Sequence, residues 1–210
     1  MFSFKRFLVE DTVSSTEQVL YNTYSDYFTT LSPEELDSLT YYVGIESNLN
    51  SMGHYNINKL LRNWESSFLS FKSVDRITSK ELNLNIPLSQ RIKIIDSILK
   101  RAPGLSEPTW IYRGIDKSIW DKIRNLGSVF EPGFISATLR SSTAKKFGGG
   151  YMVKALLKKG FKGSIFVPAL FENQYLKDNN EMELIIKRNM YYNFIKDVDD
   201  KVIEISISPS

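Results

Sequence analysis

The spacing of hydrophobic residues changes near Pro108 of this 210-residue chain. From about residue 13 to residue 101, hydrophobic side chains mostly recur every three or four residues, which is typical of amphipathic helices. After Pro108, short hydrophobic runs alternate with polar residues, as they do in half-buried strands. Helices followed by strands indicate an α+β fold. Since no long linker rich in Gly, Pro or Ser separates the two parts, we expect one domain over 11–210, helical over 11–104 and strand-rich over 105–210.

Helix boundaries are marked in the first part of the chain. Ser32 can cap a helix that begins at Pro33, and Glu35 stands where a capping box needs an acidic side chain. Two further helices are predicted from the hydrophobic spacing, over 56–71 and 88–101.

The second part begins with a predicted strand over 110–113 and a helix that Asp116 caps and Gly127 closes. Further strands are predicted over 134–139, 151–157, 163–167, 183–187, 191–195 and 202–207. The triple glycine at 148–150 lacks the Lys-Ser/Thr that completes a phosphate-binding loop, so a plain turn is predicted there.

The chain contains no Cys and one His, His54. Disulfides, thiolate catalysis and metal sites built from Cys or several His are therefore excluded, and we expect no metal. His54 has no partner signature and is interpreted as a surface residue near a helix start. Any activity must come mainly from carboxylates, hydroxyls, amides, Arg, Lys and aromatic side chains.

The charge and hydropathy patterns exclude two kinds of partner. The 27 basic and 24 acidic side chains give a net charge of +3, and the basic ones are scattered, so direct nucleic-acid binding is not expected. No hydrophobic run approaches the ~18–20 residues that span a bilayer. Lys5, Arg6 and Glu10 interrupt the segment where a secretory signal would stand. We expect a monomer without a membrane partner.

Three short motifs lie on or beside the predicted strands: Tyr112-Arg113-Gly114, Phe134-Ile135-Ser136-Ala137-Thr138 and Glu181-Met182-Glu183. Each alone is weak, because an Arg at a strand end is usually a solvated surface residue, Ser and Thr are common in plain strands, and Glu-x-Glu recurs by chance. In this order, however, the set resembles the Arg–Ser–Glu-x-Glu class of mono-ADP-ribosyltransferases. That class includes the enzymatic components of clostridial binary toxins and phage-encoded transferases.

The resemblance continues upstream of these motifs. Residues 55–62 look like that family's helix pattern of Tyr, Ile-Asn and Leu-Arg, and residues 94–103 look like the helix before its Tyr-Arg-Gly strand. The similarity therefore covers about residues 40–207. One position departs from the pattern, since the family commonly has Ser-Thr-Ser where this chain has Ser136-Ala137-Thr138.

The resemblance implies a fold and an activity. N-terminal helices would pack on a mostly antiparallel, two-sheet β core. The protein would transfer ADP-ribose from NAD, its substrate, to arginine of a host protein and release nicotinamide. The preference for arginine follows from Glu181, because members of the family that use other acceptors have Gln at this position.

The proposed catalytic residues follow from the motifs. In a strand, residues i and i+2 share a face, so Glu181 and Glu183 are predicted to face the cleft while Met182 turns to the core. A carboxylate beside the ribose can stabilise an oxocarbenium-like centre. The resemblance assigns this role to Glu183, has Ser136 hold Glu183, and has Glu181 position and deprotonate the nucleophile. Arg113 has the chemistry to bind the pyrophosphate of NAD.

Further contacts with NAD are predicted for Gly114, Phe147, Asn58 and Arg62, and recognition of the target protein for Tyr175. The family places an aromatic side chain near Phe147 beside the nicotinamide ring, and a core position is the equal alternative. Asn58 and Arg62, one turn apart, could instead form a solvated helix face. Tyr175 could be a loop anchor.

Two other classes of function remain open. The chain could be a non-catalytic NAD- or partner-binding protein of the same fold, or a basic phage head protein. An NAD-hydrolysis assay separates these classes, because only the enzyme releases nicotinamide.

Residues 1–10, MFSFKRFLVE, carry a small amphipathic stripe. They resemble the capsid-targeting peptides of T-even-type phage internal head proteins, which are cleaved after a Glu preceded two residues earlier by Leu or Ile, as in Leu8-Val9-Glu10. This resemblance implies a location in the phage head and then in the host cytoplasm. A frayed or docked terminal helix is the alternative for this segment, and a bacterial effector acting in a target-cell cytoplasm is the alternative for location.

Overall fold

The computed structural model describes residues 15–44, 53–63, 85–170 and 182–210 of the chain. These residues form six α-helices: α1 (Ser15–Phe28), α2 (Pro33–Val43), α3 (Gly53–Asn63), α4 (Leu88–Arg101), α5 (Lys117–Leu126) and α6 (Ser141–Ala144). None of the helices in these ranges has the length and apolar character needed to cross a membrane.

Eight strands follow the first four helices or lie between the later ones. They are β1 (Thr109–Gly114), β2 (Ser128–Glu131), β3 (Ile135–Thr138), β4 (Met152–Leu157), β5 (Ser164–Phe166), β6 (Glu183–Ile186), β7 (Met190–Asp199) and β8 (Val202–Pro209). Their order across the sheet is β2-β7-β8-β4-β1-β3-β6-β5. Every neighbouring pair is antiparallel except β4 with β8. The predicted α+β class and the mostly antiparallel pairing are confirmed.

The expected two-sheet core takes the form of one continuous sheet with a narrow junction. β1 and β3 share one paired position, Tyr112 with Thr138, whereas β1 and β4 share six. Five strands lie on one side of this junction and three on the other. Because so few backbone groups of β1 and β3 pair with each other, acceptors of β3 remain available to side chains.

The hydrophobic core lies where the helices cover the sheet. One cluster of buried side chains unites both parts of the chain, with members such as Leu20 of α1, Tyr42 of α2, Ile57 of α3, Ile95 of α4 and Ile185 of β6, each at most 1% exposed. Burial of these side chains from both parts holds the helices on the sheet.

The helix boundaries agree with most of the predictions. Ser32 and Glu35 form the capping box, and α4 spans the predicted residues 88–101. α3 begins three residues before the predicted start and is described as far as Asn63, so the rest of the predicted helix, 64–71, lies outside the described residues. Gly127 closes α5 with a φ of 75°, as predicted.

Asp116 differs from its prediction in one detail. It occupies the position before α5, but its side chain makes no capping hydrogen bond. Its backbone carbonyl accepts hydrogen bonds from the N–H groups of Ile119 and Trp120 instead. A residue at this position begins the helix through its carbonyl, so the helix starts as predicted without the side-chain cap.

The predicted strands lie within two residues of the observed ones, apart from β7 and β2. β7 extends to Asp199, beyond the predicted 191–195, because β8 pairs with it along its length. The sequence pattern does not predict β2, since Phe130 is exposed and its four residues lack a clear alternation.

Candidate active site

The side chains of Ser136 and Glu183 meet on two neighbouring strands. In the β3–β6 pair, Ser136 lies opposite Ile185, and Glu183 stands two residues before Ile185. The two side chains are therefore diagonal neighbours on one side of the sheet. Ser136 Oγ donates a hydrogen bond to Glu183 Oε1. The sheet thus brings together two residues that are 47 positions apart in the sequence.

β6 begins at Glu183, as predicted, and the backbone directly before it is not that of a strand. Met182 has a φ of 40°, in the left-handed region, and β6 begins only at Glu183. The prediction that Glu181 and Glu183 share a face assumes a strand conformation at Met182, and Met182 does not have one. Met182 itself is buried, at 9% exposure, as predicted. Glu181 and Tyr175 lie outside the described residues.

Arg113 lies on β1 at the narrow junction with β3. Its Nη1 donates a hydrogen bond of 2.9 Å to the backbone carbonyl of Ser136. Burial lowers the pKa of the Arg113 guanidinium, but the surrounding groups, including Tyr192, Glu131 and Glu183, raise it by more. The guanidinium therefore keeps its positive charge next to the Ser136–Glu183 pair.

Asn58 of α3 is buried, at 5% exposure, so the alternative of a solvated helix face is wrong for this residue. Its Oδ1 accepts a hydrogen bond from the N–H of Phe134 at 2.9 Å. Its Nδ2 donates to the carbonyl of Phe134 at 3.2 Å and to Tyr42 Oη at 3.1 Å. The amide group therefore clamps the backbone two residues before Ser136.

Arg62, one turn further along α3, binds Glu131 of β2. Arg62 Nε and Nη2 donate to the two carboxylate oxygens at 2.9 and 3.0 Å, and Glu131 Oε1 also accepts from the N–H of Gly133 at 2.9 Å. The Arg62 side chain is 39% exposed and that of Glu131 is 9% exposed. Sequence reasoning misses Glu131, because it ends a strand without a hydrophobic pattern and its partner is 69 positions away.

Gly114 ends β1 against the loop that carries Phe147. A Cβ at Gly114 would lie 2.4 Å from the carbonyl oxygen of Ala144 and 2.7 Å from Cβ of Phe147, so this close approach requires glycine. Phe147 is 52% exposed, and the core alternative for it is therefore wrong. The following Gly148–Gly150 forms a turn with positive φ at all three residues, as predicted.

Ala137, where the family commonly has Thr, points away from the Ser136 side of β3. It is 5% exposed, pairs with Leu184 and lines a small cavity together with Ile111, Arg113 and Tyr192. A buried hydroxyl at this position would need a hydrogen-bond partner, which Ala does not require. The departure from the motif therefore falls in the core and leaves the Ser136–Glu183 contact intact.

Two buried tyrosines border the same cluster. Burial raises the pKa of Tyr42 well above its usual range, and the negative charge of Glu183 raises it further. Burial raises the pKa of Tyr192 to about 12, and its Oη has no hydrogen-bond partner among the described residues. Both phenols stay neutral near pH 7, so Arg and Glu side chains carry the charge of the cluster. Within the described ranges, no three His, Asp or Glu side chains group in a way that could hold a metal ion.

The same fold occurs in solved bacterial ADP-ribosyltransferases. Plx2a, an ADP-ribosyltransferase toxin from Paenibacillus larvae, superposes with a TM-score of 0.62 at 18% identity, covering 92% of this chain and 94% of that one. An ADP-ribosyltransferase from Clostridium botulinum gives 0.59 at 18% identity, with 95% and 96% covered. The enzymatic component of the C2 toxin, also from Clostridium botulinum, gives 0.59 at 19% identity, with 91% and 46% covered. The fold is therefore that of the ADP-ribosyltransferase toxins.

Residues 20–206 match the family model of the ADP-ribosyltransferase exoenzymes, and the chain belongs to this family. A curated relative, the uncharacterized protein R217 of Acanthamoeba polyphaga mimivirus, is 24% identical over 123 residues. The matched segment covers 57% of this chain and 16% of that relative, so the chain spans only a small part of the relative's length.

The clamp formed by Asn58 can be tested by two matched substitutions in α3. Asn58→Ala leaves the buried N–H and carbonyl of Phe134 without their partner, so we expect it to lower the free energy of unfolding by about 2–3 kcal/mol. Asn56→Ala, in the same helix, removes only a 3.4 Å contact with Tyr41 Oη. It should change the free energy of unfolding by less than about 0.5 kcal/mol. Urea denaturation measures both values, and equal losses would contradict the role of Asn58.

His54 gives a second test, because it is the only imidazole in the chain. Its ring lies 6.4 Å from that of Tyr42, and loss of water around it, together with the positive charges of Arg113 and Arg62, lowers its pKa below 6.5. NMR titration of the single imidazole signal measures this pKa directly, and a value above 6.5 would contradict the placement of His54 beside the two arginines.

The lowered pKa of His54 also fixes the sign of a pH effect on stability. Below pH 6.5 the unfolded chain binds a proton at His54 more readily than the folded chain does. The contribution of His54 to stability is therefore present above pH 6.5 and is lost as the pH falls through the lower pKa of the folded state. Comparison with His54→Asn, which lacks this titration, isolates the effect in urea denaturation at several pH values.

Proposed function

We propose that this protein is an NAD-dependent mono-ADP-ribosyltransferase that transfers ADP-ribose to arginine of a host protein and releases nicotinamide. The observation that carries this proposal is the arrangement around Ser136. Its hydroxyl donates to the Glu183 carboxylate, and its carbonyl accepts from the Arg113 guanidinium. Membership of the ADP-ribosyltransferase exoenzyme family supports NAD as the substrate.

Arg113 and Arg62 supply positive charge for the diphosphate of NAD. A guanidinium can donate two parallel N–H hydrogen bonds to phosphate oxygens, which fixes both position and orientation. Arg113 is held at β3 and Arg62 is partly exposed beside Glu131. Phe147, exposed next to Gly114, supplies an aromatic face for the nicotinamide ring.

Glu183 acts on the bond between nicotinamide and ribose. When this bond breaks, its electron pair leaves with nicotinamide and positive charge develops on the ribosyl carbon. A carboxylate fixed beside that carbon stabilises the developing charge without having to reorganise. Ser136 fixes the position of this carboxylate, because its hydroxyl donates a hydrogen bond to one oxygen of Glu183.

Glu181 determines the acceptor in this proposal, by resemblance to family members that modify arginine. Arginine has a pKa far above neutral pH, so its guanidinium is protonated before it attacks. As the new bond forms between the guanidinium nitrogen and the ribosyl carbon, a proton must leave that nitrogen. The carboxylate of Glu181 accepts it.

A non-catalytic protein of the same fold is the main alternative. The contacts among Arg113, Ser136 and Glu183 favour the enzyme, because a chain that only binds a partner does not need a carboxylate held by a serine beside an arginine. A basic phage head protein would need no such cluster either.

The two carboxylates are expected to have separable roles. Glu183→Gln removes the negative charge and should lower both NAD hydrolysis and transfer to arginine by about 10²–10³-fold. Glu181→Gln should spare hydrolysis and lower transfer, because it removes only the group that takes the acceptor's proton. Release of nicotinamide and labelling of a host lysate with labelled NAD measure the two activities.

The control for these variants is Glu107→Gln, which removes a carboxylate placed before β1 and outside the cluster. It should keep both activities. Equal loss of hydrolysis and transfer in Glu181→Gln would refute the division of roles, and full NAD hydrolysis in Glu183→Gln would refute the assignment of Glu183.

We also propose that the protein is phage-encoded and that residues 1–10, which lie outside the described residues, direct it into the phage head before injection into the host. Cleavage after Glu10 predicts that protein recovered from virions begins at Asp11. A fusion of residues 1–10 to an unrelated protein should be packaged. The same fusion with Leu8→Asp should not be cleaved after Glu10. N-terminal sequencing that finds Met1 or Phe2 in mature particles would overturn this proposal and leave the transferase assignment standing.

A further inference from the structure

Glu131 is a buried carboxylate in a region where an anionic ligand is proposed to bind. It is 7% exposed and ends β2 directly before the turn that leads to β3. A buried negative charge repels a diphosphate, and its burial costs free energy unless it is paired. The binding of NAD alone therefore does not explain a buried carboxylate at this position. The contacts that Glu131 makes with other residues must explain it.

The first partner is Arg62, which Glu131 holds in one orientation. Arg62 donates Nε–H and one N–H of Nη2 to the two carboxylate oxygens, at 2.9 and 3.0 Å. A guanidinium has five N–H donors, so three remain on the edge that points away from the carboxylate. The Arg62 side chain is 39% exposed, so it stays accessible to a ligand while Glu131 stays covered.

The second partner is the turn before β3. Glu131 Oε1 accepts the N–H of Gly133 at 2.9 Å, and Ser136 follows three residues later. A Cβ at Gly133 would lie 3.0 Å from Glu131 Oε1 and 2.7 Å from Asn58 Oδ1, so the lack of a side chain lets both groups reach the turn. One carboxylate thus joins Arg62 to the strand that carries Ser136.

The third effect of Glu131 is electrostatic. Its charge is among those that keep the Arg113 guanidinium protonated. Two guanidinium groups in one site repel each other, and a carboxylate near both reduces that repulsion. Glu131 therefore lowers the electrostatic cost of holding both arginines in the site before a ligand binds.

We infer that Glu131 is a positioning residue, which holds Arg62 toward the diphosphate of NAD and balances the charges of Arg62 and Arg113. This inference rests on the proposed function. It assigns Glu131 to the binding of NAD and leaves the bond-breaking step to Glu183. Glu131→Gln should therefore change the affinity for NAD and spare the turnover of bound NAD.

A double-mutant cycle tests this inference. NAD affinity by calorimetry and the kcat and KM of NAD hydrolysis are measured for the wild type, Glu131→Gln, Arg62→Gln and the double variant. Each single substitution should weaken NAD binding about 10-fold, as expected for the loss of hydrogen bonds to a charged group, with kcat nearly unchanged. The double variant should bind NAD no more weakly than Arg62→Gln alone, because Glu131 acts through Arg62.

Asp96→Asn is the matched control. It weakens another ion pair between a carboxylate and an arginine, Asp96 with Arg188, whose three hydrogen bonds measure 3.0, 3.0 and 2.8 Å. Asp96→Asn should leave the affinity for NAD unchanged. A loss of affinity in this control equal to that in Glu131→Gln would overturn the inference, since any broken ion pair would then have the same effect.

Other outcomes separate the inference from the proposed function. Additive losses in the double variant, or a fall in kcat alone in Glu131→Gln, would overturn the positioning role. If Glu131→Gln does not fold, the variant Arg62→Lys tests the inference. Lys at this exposed position keeps the positive charge but cannot bridge both oxygens of the Glu131 carboxylate. Wild-type NAD affinity in Arg62→Lys would overturn the inference. A wild-type protein that binds no NAD would overturn the proposed function itself.

Discussion

Ser136 binds both of the oppositely charged side chains of the site, Arg113 and Glu183. Its hydroxyl donates to Glu183 and its backbone carbonyl accepts from Arg113 at 2.9 Å. In the proposed function, the site must present positive charge to a diphosphate and negative charge to a ribosyl carbon. One residue between them meets this requirement, because each charged group has its own hydrogen bond to a different atom of Ser136.

The position of Ser136 depends on contacts that come from distant parts of the chain. Asn58 of α3 binds both backbone groups of Phe134, and Glu131 binds the N–H of Gly133, so the turn before β3 is fixed on both sides. The narrow pairing of β1 with β3 leaves the carbonyl of Ser136 to Arg113. The helices therefore do more than cover the sheet, since Asn58 of α3 fixes the backbone directly before β3.

The sequence predicts most of what local physics controls. The capping box at Ser32, the extent of α4 and most strand bounds follow from caps and periodicity, which involve residues close in sequence. Glu131 and the buried role of Asn58 could not be predicted, because their partners lie 69 and 76 positions away and no periodic pattern marks them. The resemblance selected Asn58 and Arg62 as contacts with NAD, but it carried no information that Asn58 binds the backbone of Phe134 and that Arg62 pairs with Glu131.

Met182 shows why alternation along a strand cannot be extended across this site. A non-glycine residue with a φ of 40° costs about 1–2 kcal/mol, and here the buried side chain of Met182 and the hydrogen bond from the N–H of Leu139 to its carbonyl offset that cost. The result is that β6 starts at Glu183, and pairing with β3 fixes the direction of the Glu183 side chain. In the proposed function, the sheet therefore sets the direction of the carboxylate that acts on NAD.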